Sequence, residues 1–232
     1  MTTTVSVVGA TGRVGSAIVS HLADRFAVVP IARRRDEGIE SLVRRAVDGA
    51  DLVVNAAGVA HLERPTSADL DRLRTANVDL PVALAQVALA RGISLIHVSS
   101  IKASEVGDES PYAASKREGD ERLERQFGED FATADLSLVV VRPLALLFPP
   151  LDAGKVSRLR FLRWWPSILT PALRLPVVAP ATFLDAIEST VDRVADGTGP
   201  VGFSRRDFDR SERGTLRDVR SAMLTVSKGG AG

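Results

Sequence analysis

The segment Gly9-Ala10-Thr11-Gly12-Arg13-Val14-Gly15 constrains the fold of this chain more than any other. It stands between a short β-branched run, Val5-Ser6-Val7-Val8, and an apolar stretch from Ser16 to Leu22 that suits a helix. Glycines at every third position in a strand–turn–helix setting answer three steric demands. One makes the tight turn, the next lets backbone approach a pyrophosphate, and the third lets helix pack on strand. The pyrophosphate then meets the helix N-terminus, where free N–H groups and the macrodipole favour an anion. Gly9, Gly12 and Gly15 therefore predict a first β–turn–α unit built to bind a dinucleotide.

The rest of the chain continues the alternation. Ala27–Ile31 reads as a second strand, Ile39–Val47 as a helix, and Asp51–Asn55 as a buried strand. Residues 69–91 carry one long or two abutting helices, broken near Pro81 and ended by Gly92. Ile93–Val98 is a strand, Pro111–Phe127 a helix and Leu136–Val141 a strand. Apolar strands alternating with helices predict an α/β fold with a doubly wound parallel sheet. Past Pro143 the pattern loosens among prolines. The expected organisation is a dinucleotide-binding domain over 1–150, then a small irregular substrate-side region and frayed tail over 151–232, all in one structural unit.

A second short stretch carries chemistry. In Ser110-Pro111-Tyr112-Ala113-Ala114-Ser115-Lys116, Ser110 suits an N-cap and Pro111 the first helical position. The i, i+4 spacing then puts Tyr112 and Lys116 on one helix face. Tyr112 is the only tyrosine, and Lys116 is one of four lysines. An ammonium beside a phenol favours the phenolate, so the tyrosine pKa is expected below its ordinary value of about 10. The pair would form a general acid/base for an alcohol or carbonyl.

Several classes are excluded or disfavoured. The 232 residues carry a formal net charge of +1, which makes no global case for nucleic acid or an anionic membrane. Without cysteine there are no disulfides or thiolate metal sites. The start of the chain lacks a basic and apolar leader pattern, and no run of 18 apolar residues occurs, so a cytoplasmic protein with no membrane span is expected. His21, His61 and His97 show no ligand spacing, and no metal site is expected.

In order along the chain, Gly9-x-x-Gly12-x-x-Gly15, Asn55-Ala56-Ala57-Gly58, Asn77-Val78, Val98-Ser99-Ser100, Tyr112-x-x-x-Lys116 and Arg142-Pro143 resemble the short-chain dehydrogenase/reductase superfamily. The likeness is to its extended NAD-dependent epimerase/dehydratase branch. The resemblance implies a Rossmann-like sheet. It also implies a catalytic set in which Ser100 binds the substrate oxygen, Tyr112 moves its proton, and Lys116 holds the nicotinamide ribose and tunes the tyrosine. It extends cofactor contacts to Thr11, Arg13, Val14, Asn55, Ala56, Ala57, Gly58, Asn77 and Pro143. The chain departs from the family between its second strand and Asp51. There a third strand ending in an aspartate beside adenine is either missing or abbreviated to Arg35-Asp36.

Arg33, Arg34 and Arg35 follow the second strand, where an acidic residue would mark NAD and arginine a 2′-phosphate. NADP is favoured over NAD, with Arg33 the best candidate. Between Leu151 and Pro180, five basic residues and one acid surround Trp164-Trp165. This segment can be a cationic wall for an anionic sugar or base, a surface for a membrane or lipid-linked substrate, or a small lobe packed on its tryptophans. Expected substrate contacts are Ser100, Lys102, Arg158, Arg163 and Trp164. The leading functional expectation is a sugar-nucleotide epimerase or a close relative such as a dehydratase or 4-ketoreductase. The alternatives are an NADPH-dependent carbonyl reductase of a small metabolite and a non-catalytic dinucleotide-binding protein. The partner is a small molecule, and the resemblance implies a homodimer.

Overall fold

A computed structural model describes residues 2–59, 65–105, 107–146 and 177–208. Two compact units are present, one formed by Met1–Arg142 with Ala186–Asp207, the other by Pro143–Asp185 with Phe208–Gly232.

The first unit is built on strands β1 (Thr4–Val8), β2 (Ala27–Ile31), β3 (Leu52–Asn55), β4 (Ser94–Val98), β5 (Ser137–Arg142) and β8 (Gly202–Asp207), all parallel, in the order β2-β1-β3-β4-β5-β8. The inner strands β3, β4 and β5 are buried along their whole length, as expected of strands covered on both faces. β2 lies at the edge and is mostly exposed, which accommodates Pro30 and its missing donor.

Helices α1 (Arg13–Leu22), α2 (Ile39–Val47), α3 (Ser67–Arg74), α4 (Leu80–Ala90) and α5 (Pro111–Thr133) alternate with these strands. One core joins Leu42, Ala46, Leu84, Ala88, Leu123 and Phe131 of α2, α4 and α5 to Val53, Leu95 and Leu138 of the sheet. α6 (Pro180–Ala195) precedes β8. Within the second unit, the short strands β6 (Ala145–Leu146) and β7 (Val177–Val178) pair in parallel, and the rings of Phe183 and Phe208 lie 6.1 Å apart.

The predicted doubly wound parallel sheet is present, and β2 and α2 have the bounds read from sequence. Three features differ. The helical run over residues 69–91 is interrupted at Thr75–Asp79 by a π-helical turn, closed by the Leu80 N–H on the Thr75 carbonyl. Pro81 has no N–H to offer the Asn77 carbonyl, and the widened turn just before it is where the helix absorbs that loss. Second, the sheet has no strand outside β2 among the described residues, so the family's third strand is missing and Arg35-Asp36 forms a turn, with Asp36 at φ 59°. Third, residues 202–207, read as part of an irregular C-terminal region, form the sixth strand. Its polar run Ser204-Arg205-Arg206-Asp207 suits a sheet edge and carries no buried-strand signature.

Candidate active site

The strand order reverses at β1. From β2 the chain crosses over β1 to enter β3 on its other side, so the loops after β1 and β3 diverge and leave a crevice at their carboxyl ends. Val8 lies level with both Ile31 and Asn55, Asn55 with His97, and Val98 with Val141. The loops carrying Gly9, Arg33, Asn55–Gly58 and Ser99-Ser100 therefore leave the sheet on one edge.

The glycine turn is determined by close backbone contact. Gly9 has φ 83°, donates its N–H to the Ile31 carbonyl at 3.0 Å, and could not carry a Cβ, which would lie 2.7 Å from Ala57 backbone. At Gly15 a Cβ would lie 2.1 Å from the Gly9 carbonyl oxygen. The third glycine thus lets the first turn of α1 close onto the glycine loop itself, where the sequence reading had it pack on the strand. Gly12 is the N-cap, and no side chain caps α1. Thr11 and Arg13 are exposed beside it, with Val14 half-buried. The N–H groups that lack partners in any first helical turn thus face no capping side chain here. An apolar cavity of about 90 Å³ adjoins this turn, bordered by Gly9, Ile39, Leu42, Ala57 and Leu80, with Arg33 among its lining residues. A turn closed to side chains, an uncapped helix start and an apolar recess fit a dinucleotide.

Arg33 is exposed and donates to the Glu37 carbonyl at 3.1 and 3.2 Å. Glu37, which the sequence reading did not select, organises this loop. Its carboxylate accepts from Arg45, the Arg34 N–H and Ser41 at 2.8–3.0 Å. Arg45 first, then the Arg34 N–H, hold that carboxyl down at about 2.

The loop after β3 is held by two buried amides. Asn55 Oδ1 accepts from the Ala57 N–H at 3.1 Å, which turns its Nδ2 toward His97 Nδ1, also at 3.1 Å. Asn77 Oδ1 accepts from the Val59 N–H at 3.0 Å, while its Nδ2 donates to the Val59 carbonyl and the Ser115 hydroxyl. Both side chains are engaged in shaping the chain around Ala56, Ala57 and Gly58. A Cβ on Gly58 would lie 3.0 Å from Asn77 Oδ1 and 3.1 Å from Lys116 Nζ, so the glycine lets the lysine head reach this loop.

Ser110 caps α5 through the Ala113 N–H, and Pro111 occupies its first turn, as the sequence indicated. Tyr112 is half-buried, and the Ser100 hydroxyl faces its phenol and favours the charged form, while Ser100 Oγ accepts from the Lys102 N–H. Lys116 is buried and donates to the Val98 carbonyl at 3.4 Å. Ser100, Tyr112 and Lys116 are thus brought together. Lys102 is paired with Glu105 and, at 3.1 Å, with Asp108. Pro143 begins the second unit. Arg158, Arg163, Trp164 and His61 lie outside the described residues.

The expected acidic tyrosine is corrected by the structure. Burial pushes the Tyr112 phenol above its ordinary 10, opposed by the facing Ser100 hydroxyl and the Lys102 charge, with Asp120 adding to the rise. Burial instead acts on the lysine, lowering Lys116 to about 8 against the opposing pull of Asp120. His97 is fully buried and held neutral, by burial first and then by the Lys116 charge. Among the described residues no three His, Asp or Glu side chains gather as a metal site, and no helix is long and apolar enough to cross a membrane.

The shift on Lys116 has a thermodynamic consequence. Its folded pKa lies below the unfolded 10.5, so the unfolded chain binds more protons between about pH 8 and 10.5, and stability rises with pH across that window. Lys116→Met is expected to be roughly 3 kcal/mol more stable than wild type at pH 7, at about 1.36 kcal/mol per pKa unit, and to lack the alkaline rise. Urea unfolding at pH 7 and pH 10 checks this, and a variant less stable at pH 7 contradicts it.

A parallel, doubly wound sheet with a glycine-turn crevice at its switch point and a Ser–Tyr–Lys cluster on the same edge defines a short-chain dehydrogenase/reductase. The chain belongs to the NAD dependent epimerase/dehydratase family, whose family model matches residues 5–149. It is 36% identical over 131 residues to UDP-2-acetamido-2,6-beta-L-arabino-hexul-4-ose reductase of Pseudomonas aeruginosa, a match covering 54% of this chain. The chain spans about a third (32%) of that relative's length. Among solved structures it resembles a short-chain type dehydrogenase/reductase from Mycobacterium ulcerans, with a TM-score of 0.66 at 18% identity, covering 92% of this chain and 91% of the other. It also resembles dTDP-4-dehydrorhamnose reductase from Bacillus anthracis in complex with NADP, with a TM-score of 0.66 at 13% identity, covering 98% and 82%.

Proposed function

We propose that this protein is an NAD(P)H-dependent reductase of a nucleotide-linked keto sugar. The observation that carries the reading is that the Ser100 hydroxyl faces the Tyr112 phenol, which shares a helix face with the buried Lys116, on the sheet edge that holds the glycine turn. Similarity to two sugar-nucleotide reductases supports the substrate class. Gly9, Gly12, Gly15 and the start of α1 hold the pyrophosphate, the recess beside Ile39 and Leu42 takes the adenosine end, and Lys116 holds the nicotinamide ribose. The nicotinamide, when bound, supplies the hydride. Ser100 donates a hydrogen bond to the substrate ketone oxygen, and Tyr112 donates the proton that makes it a hydroxyl. A phenol whose proton affinity is raised by burial stays protonated at neutral pH, which suits the reductive direction. The Lys116 ammonium stabilises the phenolate as it forms.

The test incubates purified protein with NADPH and a UDP-linked 4-keto sugar. Loss of reduced nicotinamide in step with formation of the sugar alcohol is the expected result. Turnover of a nucleotide sugar with no net change in nicotinamide shifts the reading to an epimerase, and preference for a free small ketone shifts it to a carbonyl reductase. Failure to bind any nicotinamide dinucleotide overturns it.

Arg33 sets the coenzyme preference in this reading. Arg33→Ser is expected to weaken NADPH about tenfold, on the scale of a charge-assisted phosphate contact, and to leave NADH nearly unchanged, as measured by fluorescence titration. Equal effects on both coenzymes would contradict the assignment. A homodimer across α4 and α5 completes the reading, and sedimentation of a monomer at micromolar concentration would remove that part alone.

A further inference from the structure

The face of α5 that carries Tyr112 and Lys116 continues, one turn further on, to Asp120. The three residues stand at i, i+4 and i+8, so their side chains share one stripe. Asp120 has 0% of its surface exposed. Its Oδ2 accepts from Arg142 Nε at 2.7 Å, and Arg142, at the end of β5, is itself buried and 3.9 Å from Asp207. Burial raises the Asp120 carboxyl above its ordinary value, opposed first by the Arg142 charge and then by the Ser99 hydroxyl that faces it, although neither Ser99 Oγ nor Asp120 Oδ1 has a hydrogen bond of regular geometry.

A buried ion pair is poor evidence of stability, because desolvation offsets the attraction and apolar replacements of similar volume often do as well. The position of this pair suggests another use. Lys116 is surrounded by groups that give its charge little support. His97 on β4 is neutral, Asn77 in the π-turn has its amide engaged, Tyr112 keeps its proton, and the Val98 carbonyl lies at 3.4 Å. Among the described residues, Asp120 is the negative group that acts on it, with Arg142 beyond.

We infer that Asp120 is a positioning residue: its carboxylate, held charged by Arg142 at the end of β5, keeps Lys116 an ammonium next to Tyr112. The inference rests on the proposed roles of Lys116 and Tyr112, but its first test is independent of them.

The Nζ titration of Lys116 is followed by NMR in protein with labelled lysine, assigned among only four lysines by its loss in Lys116→Met. In Asp120→Asn the Lys116 midpoint should fall by about one pH unit or more, and in Asp120→Glu it should stay near the wild-type value. Since Asp120→Asn leaves Arg142 buried without its partner, the double variant Asp120→Asn/Arg142→Gln provides a second background in which the same fall is expected. An unchanged midpoint in either variant overturns the inference. With the reductase assay in place, the alkaline limb of kcat/KM should move down with the lysine while activity near pH 6 is largely kept. A lysine that shifts with no change in that limb leaves the inference standing and counts against the proposed role of Lys116.

Discussion

Tyr112→Phe is expected to lower kcat/KM for reduction about 10³-fold, within the range general acid catalysis contributes, and to leave dinucleotide affinity nearly intact. The substitution removes one oxygen. The ring that packs at the start of α5 remains, as do the Ser110 cap and the Pro111 turn. The glycine loop and α1 are untouched, so binding is preserved while the proton donor is lost. Ser100 loses at most the neighbouring hydroxyl, worth on the order of 1 kcal/mol, which cannot account for a 10³-fold loss, equivalent to about 4 kcal/mol. Steady-state kinetics beside equilibrium titration of NADPH separate the two effects. Retention of activity within about tenfold of wild type would show that the proton comes from elsewhere.

Gly15→Ala carries the second large effect. Its Cβ would lie 2.1 Å from the Gly9 carbonyl oxygen, a backbone atom fixed by the turn and unable to swing aside as a side chain could. Gly9 is itself pressed against Ala57 backbone, so displacement travels into the loop after β3. The expected cost is about 3 kcal/mol or more in urea unfolding, at the upper end of overpacking, together with loss of measurable dinucleotide binding. Gly12→Ala is the control. It adds a Cβ 3.3 Å from the same oxygen at φ −77°, a contact relieved by a shift of a few tenths of an ångström, so its loss of stability should be much smaller than that of Gly15→Ala. Comparable losses in both variants would mean that the turn tolerates no side chain anywhere, and that packing at Gly15 is not special.

Much of this site was legible in the residues. The glycine spacing between a β-branched run and an apolar run has few backbone solutions, and Ser110-Pro111 marked the start of α5 without reference to anything distant. The short interval between β2 and β3 marked the third strand as missing or abbreviated, and among the described residues β2 is the edge. What could not be read depended on neighbours far along the chain. Glu37 was not singled out in the basic turn, yet it is the hub joining Arg34, Ser41 and Arg45. β8 carried no hydrophobic alternation strong enough to mark it, because an edge strand needs only one well-covered flank, here against β5.

The phenol shows the same division. Spacing alone placed Tyr112 and Lys116 on one face, a local property of 3.6 residues per turn. Spacing also suggested a tyrosine made acidic by its neighbour, and that was wrong in sign. A pKa depends on everything within several ångströms, and here burial acts on both groups, raising the phenol and lowering the ammonium. By itself the sequence determined the order of elements from β1 to β5, the glycine turn, the helix cap and the shared face of Tyr112 and Lys116, because steric rules acting over a few residues set each of them. Only the tertiary structure decided which loops share the carboxyl edge, that Asp120 and Arg142 are buried beside Lys116, and which protons these groups keep, since desolvation and charge act through space between residues the chain order leaves apart.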